Sequence, residues 1–316
     1  MQQLDIFNDS RDRVLVNTLA EAINVPDLAK ARAAIDALRA EFPADRHLQP
    51  ALLLIDSLAA EQRTAGTPVA DHACALAERH ALQGPVTDAA RNVLGSSAAA
   101  PWLAVRWRAL AHRAAALPFE PRCAPAHAAA LFINARAWAE ASQAVAGIES
   151  WRRKPQPLDW MAQAHWHLHG PDATWPLLAE LAWLAPPRMP ALLGALADTR
   201  LNKLQRDFEA FDADSGAGAG ADAGRDASTD ASTGPATNPT AAWAWWPAWL
   251  LVEHALLVAP LDAAQTTAEA APQRCFKLLQ SLLRLERQGR HHDIVALRRS
   301  LQGLHPALFA AYMVTR

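Results

Sequence analysis

Histidine, cysteine, serine and carboxylate spacings are where a chain can declare catalysis or metal binding, and here they are sparse. The densest grouping is His165-Trp166-His167-Leu168-His169. On a helix only His165 and His169 share a face while His167 points away, and no HExxH pattern or nearby acidic pair completes a zinc site. Solvated or packed histidines are the expectation. His291-His292-Asp293 reads as a helix start rather than a ligand cluster. Cys74, Cys123 and Cys275 are odd in number, far apart and in no CxxC pair, so neither a disulfide framework nor a thiolate zinc site is expected, and a reducing compartment fits. There is no serine elbow and no GxxxxGK[ST]. The Gly/Ala run from Gly216 to Gly224 misses GxGxxG and follows no strand pattern. The expectation is a protein with no catalytic residue, no metal and no cofactor. The alternative is an enzyme whose site is assembled from scattered residues.

Binding chemistry is better represented. Gln3-Leu4-Asp5-Ile6-Phe7 combines an amide that exchanges hydrogen bonds with a pocket rim, one apolar anchor at Leu4 and a second formed by Ile6 with Phe7. This segment resembles the pentapeptide by which bacterial polymerases and repair proteins dock on the replication sliding clamp, Gln-Leu-Ser/Asp-Leu-Phe, with Ile6 the one departure. The resemblance implies a protein partner, the bacterial sliding clamp, contacted through Gln3, Leu4, Asp5, Ile6 and Phe7. The competing reading packs Leu4, Ile6 and Phe7 against the first helix, with Asn8, Asp9 or Ser10 as its cap. A second candidate surface lies at the other end, where residues 274–316 hold eight basic side chains against two acidic ones. Arg284, Arg287, Arg290, Arg298 and Arg299 are the candidate nucleic-acid contacts, and a solvated helix face is the alternative.

Something must position these groups, and the composition says it is helical. Hydrophobic residues make up 51% of 316, charged residues 20%, and mean hydropathy is -0.05, which excludes a wholly disordered chain and a polytopic membrane protein. A formal charge of -2 argues against nucleic-acid binding by bulk charge. Only 13 glycines are present, five of them in one stretch, too few for glycine-loop nucleotide binders or Greek-key sandwiches. Ala, Leu and Arg dominate, a mixture of high helix propensity. No basic start with an apolar h-region opens the chain, so a cytoplasmic location is expected. The run Ala241 to Leu261 is long enough to span a membrane but holds Pro247, Glu253 and His254, so a buried helix is expected instead.

Amphipathic spacing and proline punctuation place the helices. Leu28, Ala31, Ile35, Leu38 and Phe42 form one apolar stripe between Asp27 and Pro43. Thr67 before Pro68, and Gly84 before Pro85, read as helix starts. Further helices are expected near 10–24, 47–64, 100–116, 124–134, 137–149, 157–169, 173–185, 190–210, 243–258, 274–288, 291–303 and 306–314. Short links make successive helices antiparallel neighbours. Residues 212–240 contain no large apolar side chain and are expected to be a disordered acidic loop rich in Gly, Ala, Ser and Thr. Twelve tryptophans are about three times the usual share. Trp138, Trp160, Trp175 and Trp183 are expected between hairpins, and Trp243, Trp245, Trp246 and Trp249 in the core rather than in a patch for a partner.

Ala31, Ile35, Leu38 and Pro43 have the spacing of the second helix of a tetratricopeptide repeat, and Leu178, Ala182, Ala185 and Pro190 repeat it. Arg136 to Ala141 resembles the turn and opening of that helix, while the first-helix signature is degraded, with Ala164 and His167 where the family has glycine and tyrosine. The resemblance covers about half the chain and implies an all-α fold of stacked antiparallel helical hairpins, a TPR-like α-solenoid. The expected organisation is an N-terminal peptide at 1–8, a helical-repeat body at 9–211, the loop at 212–240 and C-terminal helices at 241–316 capping the same stack. The expected function is a non-catalytic protein–protein interaction module recruited to the sliding clamp in DNA replication or repair. The alternative is a general helical-repeat adaptor unrelated to DNA.

Overall fold

The computed structural model describes the backbone of residues 3–221 and 239–316, and the side chains of 11–215 and 241–316 apart from Ala255 and His291. Among these residues the regular structure is entirely helical. The chain divides into two compact units, one ending at Ile148 and the other beginning at Glu149.

The first unit holds α1 (Gln3–Asn24), α2 (Leu28–Glu41), α3 (Leu48–Thr64), α4 (His72–Ala81), a π turn (Leu82–Val86), α5 (Thr87–Ala114), a 3-10 turn (Pro121–Ala126), α6 (Ala128–Asn134) and α7 (Trp138–Ala146). α2 follows its sequence pattern closely. Asp27 caps it by accepting from the Lys30 amide at 3.0 Å, and Ala31, Ala34, Ile35 and Leu38 form its buried stripe. α1 and α2 pack antiparallel, with Arg11 in the first half of α1 ion-paired to Glu41 at the end of α2. α5 gathers the unit, touching α1, α3, α4 and α6. Its Trp102 indole donates to the Ile23 carbonyl of α1 at 3.0 Å.

Two expected helix starts move. Thr67 does not cap a helix; Asp71 does, accepting from the Cys74 amide at 2.8 Å, because its carboxylate reaches an unpaired first-turn donor and Thr67 stands four residues short. Gly84-Pro85 does not open a helix either. Pro85 lies inside the π turn that joins α4 to α5, where the wider ring tolerates a missing donor, and the Thr87 hydroxyl donates to the Leu82 carbonyl at 2.5 Å. The real break comes at Gly95, whose φ of 77° bends α5 before Pro101. At the other end, α1 starts at Gln3, so Asn8, Asp9 and Ser10 are within the helix rather than capping it.

The second unit holds a 3-10 turn (Trp151–Arg153), α8 (Pro155–His169), α9 (Pro171–Leu184), a 3-10 turn (Pro186–Arg188), α10 (Met189–Leu196), α11 (Thr199–Ala221), α12 (Pro239–Ala242), a 3-10 turn (Trp243–Trp245), α13 (Trp246–Glu253), a 3-10 turn (Ala255–Leu257), α14 (Val258–Leu261), α15 (Ala271–Arg287), α16 (His291–Leu304) and α17 (Pro306–Val314). The helix expected over 190–210 is two, broken at Ala197 (φ 52°), with Asp198 accepting from the Leu201 amide at 3.0 Å to restart it. The helix expected over 243–258 is split where the 3-10 turn Trp243–Trp245 gives way to α13, with Pro247 in its first turn, and again at a non-helical His254. α11 continues into the stretch expected as a loop, and residues 222–238 of that stretch lie outside the described residues.

Successive helices pack as α8 on α9, α15 on α16 and α16 on α17, but contacts also skip along the chain: α13 meets α9, α15 and α17, and α14 meets α9. Residues 149–211 and the C-terminal helices therefore share one core. Its centre is aromatic. Trp175, Trp246 and Phe208 are fully buried, Trp175 and Trp246 stand 6.1 Å apart between ring centres, and Phe208 lies 4.9 Å from Trp243. Trp160, Trp243 and Trp249 are buried as expected, whereas Trp138, Trp183 and Trp245 are half-buried. No helix among the described residues is long and apolar enough to cross a membrane.

Candidate interaction site

Gln3, Leu4, Asp5, Ile6 and Phe7 form the opening turns of α1, and their side chains lie outside the described residues. The rest of α1 shows how that end is held. From Arg11 to Thr18 no side chain is buried and Val14 is 61% exposed; burial starts at Leu19 and continues at Ala22 and Ile23. Arg11 sits opposite Glu41, the last residue of α2. With about 1.5 Å of rise per residue, Phe7 lies about 6 Å beyond that point along the axis. The pentapeptide thus occupies the end of α1 away from its buried residues Leu19, Ala22 and Ile23.

The basic C-terminal surface is largely neutralised. Arg284 pairs with Asp262, Arg290 with Asp293 at 2.6 Å, and Arg298 with Glu286 at 3.2 Å while also donating to the Tyr312 hydroxyl at 3.1 Å. Glu286 additionally takes Arg316 at 2.8 Å and the Tyr312 hydroxyl, so its carboxylate ties α15 to α17. Arg287 and Arg299 are exposed. Five arginines that look alike in sequence are therefore not one electropositive patch. The carboxylates responsible are partly distant in sequence, as Asp262 is from Arg284, which local charge counting cannot see.

His165 and His169 do meet, ring centres 4.9 Å apart, and burial with the positive charges of His169 and Arg152 pulls His165 below its ordinary pKa. His167 is exposed. No cluster of three potential metal ligands occurs among the described residues.

One concavity in the first unit was not legible as a site. Leu53, Ala60, Leu82, Val86 and Leu110 wall a cavity of about 510 Å³ between α3, the π turn and α5. Two guanidinium–carboxylate pairs stand in it. Arg113 grips Glu78 with two bonds of 2.5 and 3.0 Å and donates to the Thr67 carbonyl at 2.9 Å. Arg106, only 6% exposed, lies over the Trp102 ring at 4.0 Å, donates to the Trp102 carbonyl at 3.0 Å and sits 3.3 Å from Glu61. Burial pulls the Arg106 guanidinium down from its ordinary value, and Glu61 opposes that shift. The Nε of Arg106 and Oε2 of Glu61 are buried and make no hydrogen bond. The missed signal was Ala99, Trp102, Arg106 and Leu110, an arginine on an otherwise apolar helical stripe.

The second unit has its own buried carboxylate. Glu180, 6% exposed on α9, accepts from the Gln265 amide at 2.8 Å and lies 3.4 Å from Arg152. Burial raises its pKa, and those two partners counter the rise. The pair joins α9 to the 3-10 turn at Trp151 and to the segment before α15.

No family model, curated protein or solved structure matches this chain.

Proposed function

We propose that this chain is a non-catalytic protein–protein interaction module of repeat-type, TPR-like helical hairpins, recruited to the bacterial replication sliding clamp by Gln3, Leu4, Asp5, Ile6 and Phe7. The observation that carries the reading is the placement of this pentapeptide on the end of α1 whose neighbouring residues, Arg11 to Thr18, are exposed or only half-buried. A docking peptide must yield its apolar anchors to a partner without dismantling its own fold. Unwinding the end of a helix costs less than unwinding a packed helix interior. The remaining helices act as the cargo or scaffold that recruitment brings to DNA, with the exposed Arg299 as a basic group for a secondary nucleic-acid contact.

Retention on immobilised sliding clamp tests this. Wild-type protein is expected to be retained and a variant with Gln3, Leu4, Ile6 and Phe7 all replaced by alanine is expected to flow through, with equal helicity. Equal retention of both, or of neither, contradicts it.

The α3–α5 cavity favours a second reading, a general helical adaptor unrelated to DNA, in which the wall around Arg106 takes the partner and residues 3–7 are structural. On that reading the alanine variant loses stability instead of binding.

A further inference from the structure

A second cavity in the first unit, of about 550 Å³, lies where the bend of α5 faces the end of α6. Unlike the α3–α5 cavity, it contains no carboxylate. Arg91 reaches it from the part of α5 before Gly95, and Arg136 from the turn after α6. Both are exposed, and neither forms an ion pair or a hydrogen bond through its side chain among the described residues. Asp88, one turn before Arg91 on the same helix, makes no ion pair with it. The rest of the polar lining is neutral: Gln83, Thr87 and Asn134. The remaining lining is apolar: Ala100, Pro101, Leu103, Ala104, Trp107 and Ala135.

The backbone sets where the two side chains leave the chain. Arg136 has a φ of 55°, in the left-handed region, and the end of α6 closes around it: its amide donates to the Ile133 carbonyl at 2.9 Å, and the Ala137 amide donates to Phe132 at 2.9 Å. Arg91 sits one turn before Gly95, whose φ of 77° bends the chain so that both halves of α5 line the same space. The other arginines of α5 are matched: Arg106 by Glu61, Arg108 by Glu140, Arg113 by Glu78. Two guanidinium groups left without counterions at one concavity, with amide and hydroxyl groups and an otherwise apolar lining, are complementary to an anion that carries an apolar body.

We propose that this cavity binds a small organic anion, a phosphate monoester or a carboxylate attached to a planar or apolar group, with Arg91 and Arg136 taking the charge and Leu103 with Trp107 taking the body. The site is independent of sliding-clamp docking and does not rest on it.

Calorimetric titration of the intact protein with 1-naphthyl phosphate and, separately, 1-naphthoate identifies the head group; inorganic phosphate and 1-naphthol separate charge from body. At least one of the two naphthyl anions is expected to saturate below about 1 mM, with inorganic phosphate and naphthol each at least about tenfold weaker. Arg91→Gln and Arg136→Asn, the second chosen because asparagine tolerates left-handed backbone, are each expected to weaken that binding by about tenfold with unchanged circular dichroism. Absence of saturation by both anions overturns the proposal. So does binding that both variants retain in full, or naphthol binding as tightly as either anion.

Discussion

Individual side chains make the sharpest predictions. His127 caps α6 by accepting from the Ala129 amide at 3.2 Å, and burial, aided by His72, pushes its pKa down to about 4. In the unfolded chain it titrates at about 6.5. Between those values the unfolded state holds the extra proton, so stability is full above pH 6.5 and is lost as pH falls toward 4, by on the order of 3 kcal/mol over the window. His127→Asn keeps a capping acceptor without the titration. Urea melts between pH 4 and 7 should therefore show a shallower slope for that variant, and an unchanged slope would remove His127 from the account. Arg106 predicts a different pattern. Its removal strands Glu61 beside an apolar wall, so Arg106→Ala should cost about 3 kcal/mol, while Arg106→Met with Glu61→Leu should recover most of it. Equal losses in single and double variants would mean that packing over Trp102, not charge, is what Arg106 provides. Cys275 is buried, with its thiol pushed up to about 12, whereas Cys74 is exposed. A thiol-specific reagent should label Cys74 in the native protein and Cys275 only after unfolding.

Helices were legible where the pattern is local. The α2 stripe and the Asp27 cap needed only spacing and one capping residue, and α17 matches its expected limits of 306–314. Boundaries set by backbone conformation were not legible. Nothing in Ala197 announces a φ of 52°, because alanine rarely adopts it and the surrounding packing imposes it. Pro85 was misleading for the opposite reason: proline normally marks a start, and here a π turn absorbs it. Asp71→Ala should cost about 1 kcal/mol and Thr67→Ala much less, which distinguishes the observed cap of α4 from the one the sequence favoured. Gly95→Ala should cost about 1 kcal/mol, although a Cβ there meets no atom within 4 Å, because the penalty lies in the left-handed backbone. Thermal melts of the three variants check both.

Across the whole molecule, an all-helical chain was readable from scarce glycine and strand formers, and the burial of Trp243, Trp246 and Trp249 from their density. The division at Ile148 was not, since the visible composition shift lies at 212–240 while the division depends on which distant helices share a core. The proposed binding surfaces divide the same way. Gln3 to Phe7 is a contiguous string and could be read, whereas the Arg106 and Arg91–Arg136 cavities are assembled from α3, α5 and α6 and could not. The most direct test of recruitment is a titration of purified sliding clamp against wild type and Ile6→Ala/Phe7→Ala, with a thermal melt of each. Wild type should bind at about tens of micromolar or tighter, and the double variant about tenfold or more weakly with an unchanged melting temperature. No wild-type binding in that range, or a variant destabilised by about 3 kcal/mol as expected for a buried Phe7, would contradict recruitment through this segment.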